Sequence, residues 1–65
     1  MINSEFYVKF RRNGILNRAI VIALNWDAVK ELLHITTEEQ NTVTLTCVGT
    51  VAQHEQPRVV MQSAN

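Results

Sequence analysis

The chain has 65 residues, 46% hydrophobic and 18% charged, with equal numbers of basic and acidic side chains. This length predicts one small domain, residues 1–65, and excludes a two-domain enzyme or a full dinucleotide-binding fold. The longest apolar run, Ala19 to Leu24, is too short for a membrane span or for the core of an export signal. With Cys47 as the one cysteine, we expect a cytoplasmic protein that has no membrane partner and no disulfide within the chain.

The small size also limits the stability of the core. A chain this short buries only about 60% of its unfolded surface, and its core contributes about 3–5 kcal/mol. Either a compact, well-patterned core or a second subunit must supply the stability. A homodimer is therefore one of the assemblies that we consider.

The first predicted element is a β-hairpin. Large apolar residues alternate with polar ones over residues 5–11, the period of a half-buried strand. The two sets are Phe6, Val8 and Phe10 on one face and Tyr7, Lys9 and Arg11 on the other. Asn13-Gly14 is a strong hairpin signal, and the apolar segment from Leu16 to Leu24 predicts the second strand.

Two registers fit this hairpin. A two-residue loop, Asn13-Gly14, pairs Phe6 with Val21 and turns the isoleucines of the second strand away from Phe6. A three-residue loop, 12–14, pairs Phe6 with Ile20 and points Arg18 inward. We favour the three-residue loop because it keeps the large apolar side chains of both strands on one face, and a slip of one residue exchanges the faces. Both loops require positive φ at the glycine.

A helix is predicted from Trp26 to His34. Asn25 is a suitable N-cap, and apolar residues recur at helical spacing after it. Thr36 and Glu39 have the spacing of a capping box. They predict either a second short turn or a continuation of the first helix.

Two further strands are predicted in the second half of the chain. In residues 41–51, one face carries Val43, Leu45, Cys47, Gly49 and Val51, and the other is rich in threonine. We expect Cys47 to point inward as a small apolar residue. After a polar loop, 52–57, residues 58–62 predict a short fourth strand, which Pro57 keeps from central pairing. The tail from about residue 63 should fray.

This order, β-β-α-β with a further β, predicts an α+β domain with one helix on one face of a small antiparallel sheet. The sheet has three strands, or four if the last one forms. The core expected from the inward stripes consists of Phe6, Val8, Phe10, Ile20, Ile22, Val29, Leu32, Leu33, Val43 and Leu45.

Catalytic and metal-binding patterns are not found in the sequence. No serine is flanked by glycines as in a nucleophile elbow, and Gly14 and Gly49 are too isolated to form a phosphate-binding loop. His34, Cys47 and His54 lack the spacing of metal ligands. We therefore expect no enzyme activity, no metal and no cofactor.

Charge is distributed unevenly along the chain. Residues 1–24 carry four cations and one acid, whereas residues 25–65 carry two cations and five acids. The basic hairpin has a candidate nucleic-acid-binding set, Tyr7, Lys9, Arg11 and Arg12, because cations contact phosphates and an aromatic ring can stack on a base. The string Phe6-Tyr7-Val8-Lys9-Phe10 resembles an RNA-recognition-motif strand, although the glycines of that motif are missing.

The acidic half suggests a protein partner. Glu31, Glu38 and Glu39 lie on or just after the predicted helix and could meet a basic patch on a larger protein. Thr44 and Thr46 belong to the uncharged outer row of the third strand, which could pair with another chain. We take these five residues as the candidate partner-binding surface.

The element order from Phe6 to Val51 resembles that of small phage proteins that take over host machinery, such as the phage inhibitor of bacterial RNA polymerase and small anti-CRISPR proteins. The resemblance implies a non-catalytic protein that inhibits or adapts a larger host machine by occupying its surface. The helix departs from an acidic-helix binder, because Lys30 lies beside Asp27 and Glu31. Protein binding is our first expectation. Nucleic-acid binding is the alternative, since zero net charge gives no general affinity for phosphates.

Overall fold

Four antiparallel strands and one α-helix form the part of the chain that the computed structural model describes, residues 2–50 and 56–64. In chain order they are β1 (Ser4–Arg12), β2 (Ile15–Ala23), α1 (Trp26–Leu33), a short 3₁₀ helix (Glu39–Thr42), β3 (Thr44–Thr50) and β4 (Arg58–Ala64). The predicted α+β class is confirmed, and the fourth strand forms. The spatial order is β3-β1-β2-β4, so the hairpin strands are central and Pro57 precedes an edge strand.

The hairpin turn is a two-residue loop. Arg12 pairs with Ile15, and Phe6 pairs with Val21. The three-residue loop that we favoured is therefore wrong. Asn13 and Gly14 have φ of 55° and 76°, and positive φ at both central residues is the type I′ geometry that matches the twist of adjacent strands.

This register changes the core. Phe6, Val8 and Phe10 are buried as predicted, but they face the small residues Ala19, Val21 and Ala23 of β2. Ile22 is buried on the opposite face, and Ile20 is half-buried there. Neither isoleucine belongs to the core that was predicted for it. Arg18 points away from the core and is exposed, so the sheet does not have to bury its charge.

Helix α1 begins at Trp26 as predicted and ends at Leu33, one residue before the predicted end. The Asn25 side chain accepts a hydrogen bond from the Ala28 amide at 3.0 Å. At the other end His34 takes a left-handed conformation, and the amides of His34 and Ile35 donate to the carbonyls of Glu31 and Lys30. This is the Schellman pattern of helix termination. Thr36 and Glu39 form the capping box, so the chain makes a second short turn and α1 does not continue.

The helix covers only part of the sheet. Val29 and Leu33 pack into the core, with Leu32 and Val43 half-buried at its margin. The helix contacts β2 and β4, and β3 is exposed along its whole length. Leu45 and Cys47, which we predicted to be buried, are therefore exposed although they point to the helix side.

The edge strands differ in extent from the prediction. β3 begins at Thr44, because residues 39–42 form the 3₁₀ helix. β4 continues to Ala64, because Ser63 and Ala64 pair with Arg18 and Asn17 where fraying was expected. Val51, most of the predicted loop 52–57 and Asn65 lie outside the described residues. Each edge strand carries a β-bulge with a valine as the extra residue, Val48 in β3 and Val60 in β4.

Leu33→Ala should lower the free energy of unfolding by about 2–5 kcal/mol, because it empties a buried position between helix and sheet. Ile15→Ala is the control. Ile15 is 46% exposed, so its truncation should change stability by about 0.5 kcal/mol or less. Urea unfolding followed by circular dichroism measures both variants. Equal midpoints for the two variants would contradict the described packing of α1.

Gly14→Ala should destabilise the hairpin by about 1–2 kcal/mol, the cost of left-handed backbone for an L-residue. Asn13→Gly, at the other positive-φ position, should change stability by only a few tenths of a kcal/mol. Thermal unfolding of the two variants side by side tests the turn. An unaffected Gly14→Ala variant would argue against the type I′ loop.

Candidate binding face

One face of the sheet carries no described helix, and we call it the uncovered face, although Ile22 at one end of it is only 5% exposed. Opposed residues of antiparallel strands point to the same side, so the strand registers define this face. Opposed residues on this face form rows across the sheet, which we number from the row of Glu5. From β3 to β4, the second row is Thr46, Tyr7, Ile20 and Met61, and the third row is Thr44, Lys9, Arg18 and Ser63. The rows are about 7 Å apart, the rise of two strand residues.

The third row contains a pair of like charges. Lys9 lies directly opposite Arg18, and neither side chain forms an ion pair with any described residue. Like charges in opposed positions are destabilising, by about 0.2–1 kcal/mol. Arg11 follows Lys9 on the same face and is exposed, with one long hydrogen bond of 3.4 Å to the Gly14 carbonyl. The middle of the uncovered face is therefore positively charged.

The second row is aromatic and apolar. Tyr7 and Ile20 are half-buried, and Met61 is 47% exposed. On the side away from Lys9 and Arg18, the first row places Glu5 and Ile22 between Gly49 of β3 and Arg58 of β4. Arg58 is exposed and donates to the Gln56 carbonyl at 3.1 Å. The uncovered face thus offers an apolar and aromatic strip beside a cationic strip.

Arg12, which the sequence grouped with these cations, lies on the other side of the sheet. Its guanidinium donates to both carboxylate oxygens of Glu39, at 2.6 and 3.0 Å. It also donates to the carbonyls of Leu33 and His34 at the end of α1, at 3.2 and 3.1 Å, and lies 5.1 Å from the centre of the Phe10 ring. Arg12 is therefore occupied by contacts within the fold.

Glu39 is occupied in the same way. Beside its two bonds from Arg12, its carboxylate accepts a hydrogen bond from the Thr36 amide at 2.9 Å. The bond from Arg12 and then that from Thr36 lower the pKa of Glu39 to about 2. Bonds that favour the charged form have this effect, and only 12% of the side chain is exposed. Neither Arg12 nor Glu39 is available to a partner without breaking this contact.

The other acidic candidates do not form one surface with the threonines. Glu31 lines an open cleft of about 760 Å³ with Asp27, Lys30, His34, Ile35 and Gln40. Glu38 lines a different cleft, of about 330 Å³, near the hairpin turn. Thr44 and Thr46 lie on the uncovered face, beside Lys9 and Tyr7. The structure therefore separates the predicted acidic and threonine surface into three places.

Sequence reasoning missed Arg18, Ile20 and Met61 as members of the uncovered face. The signal for the first two was the Asn13-Gly14 dipeptide, whose two-residue loop turns both toward this face. Met61 lacked such a signal, because its orientation depends on pairing with β2 and on the bulge at Val60.

The described part of the chain, residues 2–50 and 56–64, has neither the side-chain cluster of a metal site nor the long apolar helix of a membrane span. No group of three or more His, Cys, Asp or Glu side chains is arranged there to hold a metal ion. None of its helices is both long and apolar enough to cross a membrane. His54 lies outside the described residues.

Comparison of the chain with protein-family models, with curated proteins and with solved structures finds no match.

Stability should depend on pH through Glu39. Its carboxyl binds a proton more readily in the unfolded chain, at its ordinary pKa of 4.5, than in the fold, at about 2. Its contribution is therefore complete above pH 4.5 and is lost as the pH falls toward 2. Glu39→Gln should be less stable than wild type at pH 6 and should lose less stability over that acid window.

Glu38→Gln removes the same charge from the exposed neighbouring position and is the matched control. Its urea midpoint at pH 6 should stay near that of wild type. Parallel stability profiles of wild type and Glu39→Gln from pH 6 to pH 2 would show that the Arg12 contact does not stabilise the fold.

Proposed function

We propose that this chain is a non-catalytic protein whose uncovered face binds single-stranded nucleic acid. The observation that carries the proposal is the Lys9 and Arg18 pair, which lies in mid-sheet next to the row of Tyr7 and Ile20. A sequence that keeps two repelling charges in opposed positions accepts a cost in stability. Such departures from local rules are concentrated at functional sites.

The chemistry of the two rows suits a nucleic-acid strand. Lys9 and Arg18 can neutralise phosphates. The hydroxyl groups of Thr44 and Ser63, at the ends of that row, can donate further hydrogen bonds to phosphate oxygens. Tyr7, one row away, offers a ring on which an unpaired base can stack, with Ile20 and Met61 as apolar neighbours.

The shape of the face favours a single strand over a duplex. Strand axes are about 4.8 Å apart, so the outer axes of four strands span about 14 Å before side chains are added. The major groove of DNA is about 12 Å wide and admits a helix or a two-stranded ribbon. A face of four strands is wider than that ribbon and fits better against bases that are not paired.

The neutral net charge of the chain does not oppose this proposal. Asp27, Glu31, Glu38 and Glu39 lie on the helix and on the segment that follows it, and Glu39 is neutralised by Arg12. A local field depends on where charges lie and not on their sum. Arg12 and Glu39 already form an ion pair with each other, and Thr44 lies next to Lys9 on the uncovered face. We therefore rank nucleic acid ahead of a protein partner.

A protein partner remains the second candidate, because the cleft beside α1 has exposed acids. Asp27 and Glu31 line it, and Asp27 also contacts Lys30 at 3.1 Å. A basic segment of a larger protein would complement this cleft. This candidate retains the mode of action of the small phage proteins whose element order the chain resembles.

The first test is a variant with Lys9→Gln and Arg18→Gln. Binding of fluorescent single-stranded DNA and RNA of about 12 nucleotides, a length within the range of small β-domains, is measured by anisotropy across a salt series. The double variant should bind more weakly, and its salt slope should fall by up to about 1.4, or about 0.7 per lost phosphate contact. Its fold should be as stable as wild type or slightly more stable, because the like-charge pair is gone.

Two further variants sharpen this test. Tyr7→Leu should cost about 1–3 kcal/mol of binding if the ring stacks on a base. Lys30→Gln removes a cation from the helix side and should leave binding unchanged. Wild-type protein that does not bind either oligonucleotide at low salt would contradict the proposal, as would unchanged binding by the Lys9 and Arg18 double variant. Loss of a basic protein partner in an Asp27→Asn, Glu31→Gln variant would support the second candidate.

A further inference from the structure

The outer edge of β3 is an unprotected strand edge. All of Thr44–Thr50 is exposed, none of these residues is charged, and no described strand pairs with the outer side. Natural edge strands are commonly protected by charges, proline or a covering element. The other edge, β4, follows Pro57, begins with Arg58 and has Val59 packed against the core.

The helix side of β3 also lacks a cover. Leu45 is 37% exposed and Cys47 is exposed, although both share a face with the buried Phe6 and Val8. Helix α1 packs on β2 and β4 instead. The strand thus has unpaired backbone groups at its edge and apolar side chains on one face.

The bulge limits where this edge can pair. Val48 is the extra residue between the Cys47 and Gly49 pairs with β1, and a bulge disrupts the regular ladder. Val43, just before β3, is already extended, with φ of −77° and ψ of 133°. The regular edge is therefore residues 43–47.

We propose that a second copy of this chain pairs with this edge, antiparallel, about a two-fold axis at Leu45. In this register each Leu45 lies opposite the other, and each Val43 lies opposite Cys47 of the other copy. All three apolar pairs, one between the leucines and two between Val43 and Cys47, are then on the helix side. On the uncovered face Thr44 lies opposite Thr46 of the other copy, and opposed threonines are a favourable cross-strand pair.

The register is self-complementary in side-chain type. No cation meets a cation across the axis, because the edge is uncharged. The assembly would be one sheet of eight strands, with both α-helices on one side and both uncovered faces on the other. The proposal does not depend on what the uncovered face binds.

The contact is short, so the dimer should be weak. A five-residue edge buries less surface than the roughly 1,200–2,000 Å² of a stable protein interface. We therefore expect reversible association that depends on concentration. Sedimentation velocity over a dilution series under reducing conditions should show wild-type mass rising from 7.4 kDa toward twice that value.

Leu45→Lys tests the axis, because it would place two like charges directly opposite each other. This variant should stay monomeric at every concentration while its circular dichroism remains that of the folded protein. Val60→Lys, at an exposed valine of the other edge strand, is the matched control and should associate like wild type. A wild-type protein that is monomeric throughout, or association lost with Val60→Lys and kept with Leu45→Lys, would overturn the proposal.

Cross-linking tests the register independently of affinity. Leu45→Cys in a Cys47→Ser background should give a disulfide-linked dimer on mild oxidation, since opposed strand residues lie within the Cα separation that a disulfide spans. Wild-type Cys47 should not cross-link, because the two cysteines would be about 13 Å apart along the strands. Efficient cross-linking through Cys47 without cross-linking at position 45 would place the axis elsewhere and overturn the register.

Discussion

The contact between Arg12 and Glu39 joins three elements that are apart in the sequence or separated by a turn: β1, the end of α1 and the 3₁₀ helix. Arg12 lies at the end of β1, and its guanidinium reaches the carboxylate of Glu39 and two carbonyls at the end of α1. Thr42 adds a second link, because its hydroxyl accepts from the Arg11 amide and donates to the Glu39 carbonyl. Sheet, helix and 3₁₀ helix thus meet at one charged cluster. A charge-assisted bidentate pair is among the stronger polar contacts a protein can make.

The single short helix explains why Leu45 and Cys47 are exposed on the helix side of the sheet. Eight residues make a helix about 12 Å long, and it cannot cover four strands on one side. It covers the part of the sheet near β2 and β4, where Val29 and Leu33 pack into the core. The other edge, with Leu45 and Cys47, has no such cover. A domain of this size buries a smaller fraction of its surface than a larger domain does and is marginally stable, so exposed apolar side chains are costly. Pairing between two copies would bury part of this apolar surface.

Charge segregation follows from strand alternation. Odd-numbered residues of β1 point to the uncovered face, so Lys9 and Arg11 share it with Tyr7, whereas Arg12 points to the helix side and is neutralised. In β2 the two-residue turn gives even-numbered residues the same direction, which adds Arg18. The cations of the hairpin are therefore divided between the uncovered face and the ion pair with Glu39, according to the face on which they lie.

The amino-acid sequence alone specified the local elements. Alternation, the Asn13-Gly14 turn, the Asn25 cap and the capping box of Thr36 and Glu39 each act within a few residues, and each was found in the structure. It also determined that Tyr7 and Lys9 share a face. Long-range contacts, in contrast, set the partner of Arg12, the order β3-β1-β2-β4 and the neighbours of Met61. The burial of Leu45 and Cys47 was mispredicted because strand alternation specifies which side of a sheet a residue faces, whereas burial depends on whether another element packs on that side.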